Sequence, residues 1–220
     1  MTLRVALVDY GAGNLTSVRK ALRACGAEVF TPANAGAIAA AGAVVIPGVG
    51  HFAATSALDT PWRSAVLAFV GAGGPLLGIC LGQQWLFDGS SEAPDVPGLG
   101  VLAGRCVHLR ELARDSRASA AVAGEAQGDG VKVPHVGWND VVALRPSPLL
   151  VGVRPGAQAY FTHAYAAPVT GNAVATTEHG AAFASVVQRG RVFGVQFHPE
   201  KSGGLGLTVI RNFLHLAGGR

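Results

Sequence analysis

The ten residues Pro75-Leu-Leu-Gly-Ile-Cys-Leu-Gly-Gln-Gln84 decide how the chain is read. A short apolar run stops at Gly78-Ile-Cys80, Gly82 follows, and Gln83-Gln-Trp-Leu-Phe87 begins a helical pattern. Cys80 is thereby placed on a tight strand-to-helix turn, a nucleophile elbow. Gly78 and Gly82 would supply the unusual backbone angles and close approach that a Cβ obstructs. A thiol on such a turn stands above the sheet beside the positive end of a helix dipole, and both surroundings favour the thiolate. The ordinary alternative is a buried structural cysteine, since cysteine is among the commonest core residues. Strand, flanking glycines and helix start in one stretch favour the nucleophile.

Upstream, the same strand, turn and helix rhythm repeats. Residues 4–9 are almost wholly apolar, as in a parallel strand covered on both faces. Tyr10-Gly-Ala-Gly-Asn14 reads as a loop, and 15–24 as a helix with Leu15, Val18 and Leu22 at helical spacing before Gly26. The Gly11-Ala-Gly13 loop lacks the third glycine of a dinucleotide fingerprint, so no nucleotide site is assigned there. Strands are expected over 28–31 and 43–46 with a short Ala-rich helix at 35–41 between them, and a helix over 62–71 precedes the elbow strand at 75–79. This alternation gives an α/β fold, a doubly wound, largely parallel central sheet flanked by helices, with its active site beyond the carboxyl ends of the strands. Pro47-Gly-Val-Gly-His51 then lies on the same edge as Cys80. Its glycines free the Val49 peptide to turn an N–H toward a reacting carbonyl, which an oxyanion hole requires.

The second half reads differently. A strand bending at Gly104 is expected over 101–109, and 111–130, poor in large apolar residues, reads as a surface insertion. Lys132-Val-Pro-His-Val-Gly-Trp-Asn139 is a turn-containing segment in which Trp138 either closes the core or stays exposed for binding. Short strands at 141–144, 159–162, 173–177, 183–188 and 192–195 make this half more antiparallel. A last helix over 205–217 closes the fold.

The strand from Val192 runs into His198-Pro-Glu200. In extended backbone, residues two apart point to one side, so imidazole and carboxylate share a face. Pro199 stiffens the presentation. Glu200 can take one ring nitrogen of His198 and leave the other for Cys80 or a leaving amine. A lone His-x-Glu is common; after a buried strand, in a chain that also carries the cysteine elbow, it points to a Cys-His-Glu hydrolase acting by acyl transfer. His108 and His215 read as incidental, and His51, His135, His163 and His179 as loop or strand-end residues with no base role. Cys25 and Cys106 read as structural.

The whole chain bounds these readings. Its 220 residues fit one domain, 1–220. Hydrophobic residues make up 50% and charged residues 14%, yet no uninterrupted twenty-residue apolar span occurs, so no transmembrane helix and no membrane partner are expected. The N-terminus lacks a secretory signal pattern. Three cysteines cannot all pair and match no zinc spacing, which favours a reducing cytoplasm; no metal and no cofactor are expected. The net charge of +4 is spread along the chain, without the basic block of a nucleic-acid groove.

With these residues in hand, the sequence resembles the class I Cys-His-Glu glutamine amidotransferases, and within them the glutaminase subunits of imidazole glycerol phosphate synthase. Gly78-Ile-Cys-Leu-Gly-Gln83 and Phe197-His-Pro-Glu200 match the class. Asp9-Tyr-Gly-Ala-Gly-Asn-Leu15, Pro47-Gly-Val-Gly50, Pro134-His-Val-Gly-Trp-Asn139 and Tyr160-Phe-Thr-His-Ala-Tyr165 are similar to the narrower family. The resemblance implies hydrolysis of L-glutamine through a thioester on Cys80, with His198 as acid and base and Glu200 orienting it. It places the oxyanion and substrate contacts at Val49, Gly50, Leu81, Gln84, His163 and Ala164. It also implies a heterodimer with a (β/α)8 cyclase subunit that receives the ammonia for histidine biosynthesis, across a face carrying Asn14, Trp138 and Lys201. By the same analogy the oxyanion hole is completed by a flip of the Val49 peptide once the partner has bound its ligand. Two departures stand out: Ala164 replaces the usual serine, and the family pattern does not demand the 111–130 insertion. The competing readings are a class I glutaminase serving another synthase, a non-catalytic partner-binding scaffold of this fold, and a free-standing cysteine hydrolase.

Overall fold

The computed structural model describes residues 2–122 and 130–219. Its first half is the expected βα alternation: β1 (Arg4–Leu7), α1 (Leu15–Ala24), β2 (Glu28–Phe30), β3 (Ala43–Ile46), α2 (Thr60–Gly71), β4 (Leu76–Ile79) and α3 (Leu81–Trp85). The start of α1 is fixed by Asn14, whose side chain accepts from the Ser17 N–H. The stretch 35–41 is not an α-helix but a 3-10 helix, Ala35–Ala40. Of its six residues, five Ala or Gly and one Ile, only Ile38 is buried, too little apolar face to carry a longer helix.

Next come β5 (Gly89–Ser90), β6 (Ala93–Pro97), β7 (Arg105–His108) and α4 (Leu109–Val122). The strand expected over 101–109 is reduced to β7, because the preceding residues turn back on the elbow helix. Leu102 N–H bonds the Leu86 carbonyl at 3.0 Å and Gly104 N–H bonds Asp88 Oδ2 at 2.7 Å. The reading of 111–130 as an insertion is corrected for its first part. Leu109, Leu112 and Ala113 are buried at helical spacing and anchor α4 to the core, a stripe that the surrounding small and charged residues hid. Residues 123–129 of that stretch lie outside the described residues.

The remainder is β8 (His135–Asp140), β9 (Val142–Ala143), β10 (Gln158–His163), β11 (Tyr165–Ala166), β12 (Ala173–Glu178), β13 (Ala182–Arg189), β14 (Val192–Val195) and α5 (Gly203–Gly218). The segment read as turn-containing at 132–139 is mostly strand. β8 pairs antiparallel with β10 along its whole length, His135 opposite His163 and Trp138 opposite Tyr160.

The main sheet has the order β2-β1-β3-β4-β14-β13-β12-β9. It is parallel from β2 to β14 and antiparallel from β14 to β9. Its inner strands are apolar throughout because both faces are covered. Val5, Leu7, Val45, Leu77 and Ile79 enter one core with residues of α1 and α5, while Ala6, Val44, Ile46 and Leu76 enter the other with Val66 of α2 and Trp85 of α3. A second sheet, β11-β7-β5-β6, and the β8–β10 ribbon flank it. Parallel pairing sets Val195 of β14 opposite Ile79 of β4. The segments leaving these two strands therefore emerge side by side at one edge. Among the described residues no helix is long and apolar enough to cross a membrane.

Candidate active site

Cys80 follows β4 directly, and among the described residues it alone, apart from glycines, has positive φ (φ 52°, ψ −107°). The elbow glycines serve a different purpose from the one expected. Neither Gly78 nor Gly82 has positive φ; a Cβ on Gly78 would sit 2.5 Å from the Gly82 carbonyl oxygen, and one on Gly82 would strike the Ile46 carbonyl of β3. They allow close approach, and the unusual dihedral pair is carried by the cysteine itself, a strain of about 1–3 kcal/mol. The helix that follows has only five residues, so its dipole contributes little beside Cys80.

The charge partner comes instead from the neighbouring strand. His198 lies three residues past β14, with Nδ1 2.9 Å from Glu200 Oε1, and both side chains are almost wholly enclosed. His198 Nε2 and Glu200 Oε2 have no hydrogen-bond partner among the described residues. Burial pulls the imidazole pKa down, but the adjacent Cys80 and Glu200 outweigh it and hold the value up at about 10. An imidazolium with one nitrogen unspent is the state that can stabilise a thiolate and protonate a leaving amine. The pair is braced by β10: His198 N–H bonds the Tyr160 carbonyl at 2.9 Å, and Ser202 Oγ joins the His198 carbonyl (2.6 Å) to the Tyr160 N–H (2.9 Å).

A small cleft of about 40 Å³, lined by Gly50, Cys80, Leu81, Gln84, Glu92, Thr162, His163, Ala164 and Tyr165, opens on the sulfur. The structure thus brings Cys80 together with Gly50, Leu81, Gln84, His163 and Ala164. Val49 sits in the Pro47–Gly50 turn against the elbow: Gly48 is packed so closely on Tyr10, Leu81 and Gly82 that a Cβ there would collide. Tyr10 Oη donates to the Pro47 carbonyl at 2.8 Å and pins this turn; burial, and then Cys80, raise the phenol pKa. Gln84 Nε2 donates to the Tyr165 carbonyl at 2.8 Å and to Gln196 Oε1 at 3.3 Å.

Two residues of the site went unnoticed in the sequence. Glu92 places a carboxylate in the cleft and accepts from the Phe52 N–H at 2.8 Å. Gln196, fully buried, points its Nε2 at Cys80 Sγ, 3.6 Å away. Its position two before His198 was the available signal, because i and i+2 share a side in extended chain. His135 and His163, set aside as loop or strand-end residues, are both buried in the ribbon. Cys106 is fully buried, and burial raises its pKa, as burial does for half-exposed Cys25; both are poor nucleophiles.

Trp138 is 55% exposed, which resolves its two readings toward the surface. It packs edge-on to Tyr160, and Lys201 Nζ lies 5.6 Å from the same ring. Asn14 is exposed at the start of α1, which packs on the 199–201 turn. Among the described residues no group of His, Cys, Asp and Glu has an arrangement that could hold a metal ion.

The comparisons with known proteins fit this geometry. Residues 6–217 match the family description of class-I glutamine amidotransferase. The chain belongs to that class. It is 44% identical to the imidazole glycerol phosphate synthase subunit HisH of Deinococcus radiodurans over 95% of this chain and 92% of the relative. It is 42% identical to that of Thermococcus kodakarensis over 96% and 100%. Within the class, its family is therefore that of the HisH subunits. Among solved structures, a glutamine amidotransferase crystal structure superposes with a TM-score of 0.69 at 21% identity, covering 97% of this chain and 98% of that one. At this identity the likeness speaks for the fold.

Proposed function

We propose that the chain is the glutamine-hydrolysing subunit of an imidazole glycerol phosphate synthase, with Cys80 as nucleophile, His198 as acid and base, and Glu200 as its orienting partner. The observation that carries this reading is the strained Cys80 elbow one strand away from the enclosed His198–Glu200 pair. The thiolate attacks the side-chain amide carbon of glutamine, and the oxygen takes the developing charge between the N–H groups of Leu81 and Val49. His198 gives its proton to the departing ammonia, leaving a glutamyl thioester. Water then adds, giving its proton to His198, and the thioester bond breaks to release glutamate. Glu92 faces the substrate's α-ammonium as a counter-charge, while Gln84 and the backbone at His163 and Ala164 hold its amino-acid end. Contact through backbone makes Ala164 an acceptable replacement for serine.

The ammonia passes to a (β/α)8 cyclase subunit docked over Asn14, Trp138 and Lys201, in the cytoplasm, for histidine biosynthesis. The relatives' shared description as a synthase subunit supports a partner, and the exposed tryptophan supports the face. Gating follows from the resemblance: the Val49 turn, held against the elbow by the packing of Gly48 on Leu81 and Gly82, turns its peptide to complete the oxyanion hole once the partner has bound its ligand. The test is glutamate release from glutamine by the chain alone, with the cyclase subunit, and with that subunit plus its nucleotide ligand. Activity only in the full mixture supports the reading; equal activity in all three overturns the partner gating. Cys80→Ala should abolish release while partner binding and folding persist.

A further inference from the structure

The β8–β10 ribbon is joined to the nucleophile by a series of hydrogen bonds, carried by side chains and by the Tyr165 backbone carbonyl, whose direction is fixed from both ends. At the outer end, Asn139 Oδ1 accepts from the Asp140 N–H at 2.8 Å, and Nδ2 donates to the Glu178 carbonyl at 2.9 Å. That orients the amide, so its second N–H donates to His135 Nε2 at 3.2 Å. His135 therefore carries its proton on Nδ1 and donates to His163 Nε2, 3.0 Å away. At the inner end, His163 Nδ1 faces the Tyr165 carbonyl at 3.0 Å. A carbonyl only accepts, so His163 carries its proton on Nδ1 and must accept at Nε2, which agrees with the polarity set by Asn139. The Tyr165 carbonyl also receives Gln84 Nε2, whose other hydrogen goes to Gln196 Oε1, and Gln196 Nε2 reaches Cys80 Sγ. His135 stacks on Phe161 and His179, and the chain is mostly buried, so each histidine has a single neutral tautomer.

We propose that Asn139, His135, His163, the Tyr165 carbonyl, Gln84 and Gln196 act as one positioning chain for the nucleophile, in which Gln196 donates to the Cys80 thiolate and the ribbon histidines hold Gln196 in register through Gln84. This rests on the reading of Cys80 as nucleophile. The chain has a definite donor at each link, and it ties the strand that bears exposed Trp138 to the sulfur. A change in that strand's position would be passed to the sulfur as a change in one hydrogen-bonded series. The other ionisable groups around Cys80 are His198 with Glu200, Tyr10, Cys106 and the cleft residue Glu92. Gln196→Leu removes none of them.

The test needs no glutamine. Alkylation of Cys80 by iodoacetamide is followed across pH, reading the Cys80 peptide by mass spectrometry so that Cys25 and Cys106 do not contribute, in the wild-type chain and in Gln196→Leu, His135→Phe and His135→Asn. Asparagine restores an N–H close to the lost Nδ1 donor; phenylalanine does not. A hydrogen bond to a charged acceptor is worth enough that Gln196→Leu should slow neutral-pH alkylation about tenfold and shift the profile to higher pH. His135→Phe should shift it in the same direction by a smaller factor, and His135→Asn should recover most of that loss. An unchanged profile in Gln196→Leu overturns the proposal while leaving the glutaminase reading intact. If Gln196→Leu does not fold, equal profiles for His135→Phe and His135→Asn overturn it instead. A wild-type profile whose midpoint is that of an ordinary cysteine would overturn both.

Discussion

Acidification from pH 7 to pH 4.5 should cost this protein several kcal/mol through His163 and His135, before most carboxylates titrate. Burial, reinforced by the neighbouring histidine, depresses His163 to about 3 and His135 to about 4, against an ordinary value of 6.5. The unfolded chain protonates both near 6.5 and the native state does not, so the unfolded state binds more protons and stability falls with falling pH. The contribution is full above about pH 6.5 and is lost progressively toward the native values. At pH 4.5 the unfolded His163 lies two units below its pKa, which at 1.36 kcal/mol per unit is about 2.7 kcal/mol. His135 is hydrogen-bonded to it and does not add independently, so the pair should cost about 3–5 kcal/mol. Urea unfolding at both pH values gives the loss, and the same pair of curves for a His135→Asn, His163→Asn double variant subtracts all other titrations. The variant should be less stable at pH 7 but should lose less on acidification. A difference between the two chains below about 1 kcal/mol would refute the assignment of both rings as buried and neutral.

The elbow makes a steric prediction: Gly82→Ala drives a Cβ onto the Ile46 carbonyl of β3 and should cost about 3 kcal/mol or more in urea unfolding, while Gly71→Ala, at an open position ending α2, should be neutral or stabilising by up to about 1 kcal/mol. Glu200→Gln removes the carboxylate that helps hold His198 at about 10. Glutaminase kcat of the assembled enzyme should fall by roughly two to four orders of magnitude, with the alkaline limb of its pH profile moved to lower pH because the imidazolium is lost sooner.

Much of this arrangement was legible because it is written in local patterns. The helix at 15–24 and the strand at 43–46 have the bounds their periodicity predicts, and Cys80 and His198 stand at strand ends where a parallel sheet collects its chemistry. What escaped notice depends on contacts between distant segments. Leu109, Leu112 and Ala113 anchor α4 only because a core lies beneath them, and nothing within 109–122 announces it. His135 and His163 look like scattered histidines until antiparallel pairing sets them opposite each other across 28 residues. Gln196 looked like one more residue of a buried strand, and its role appears only when β14 lies beside β4. The glycines of the elbow were found for the wrong reason: sequence shows where small residues recur, but whether they serve dihedral freedom or close approach is settled by what lies against them.

That distinction bears on how Cys80, the proposed nucleophile, is held. Had glycine supplied the unusual dihedrals, the turn could relax without cost and Cys80 would need only its helix for support. Instead the strain sits on Cys80 itself, so the surroundings must supply the opposing constraint. They do so from both sides of the cleft. The Cys80 N–H is fastened to the Val195 carbonyl at 2.7 Å, Gly82 is wedged against β3, and Gln196 holds the sulfur. The same strand, β14, continues into His198, and β10 braces His198 through Tyr160 and Ser202. Cys80 and His198 are thus fixed by one strand and by the ribbon across it, while the Val49 turn is tied to the elbow directly: Gly48 packs on Leu81 and Gly82, and Tyr10 holds the Pro47 carbonyl. The proposed oxyanion turn and the proposed nucleophile therefore share one packed contact, so a displacement of the turn bears on the residues that follow Cys80 while β14 and β10 keep His198 in place.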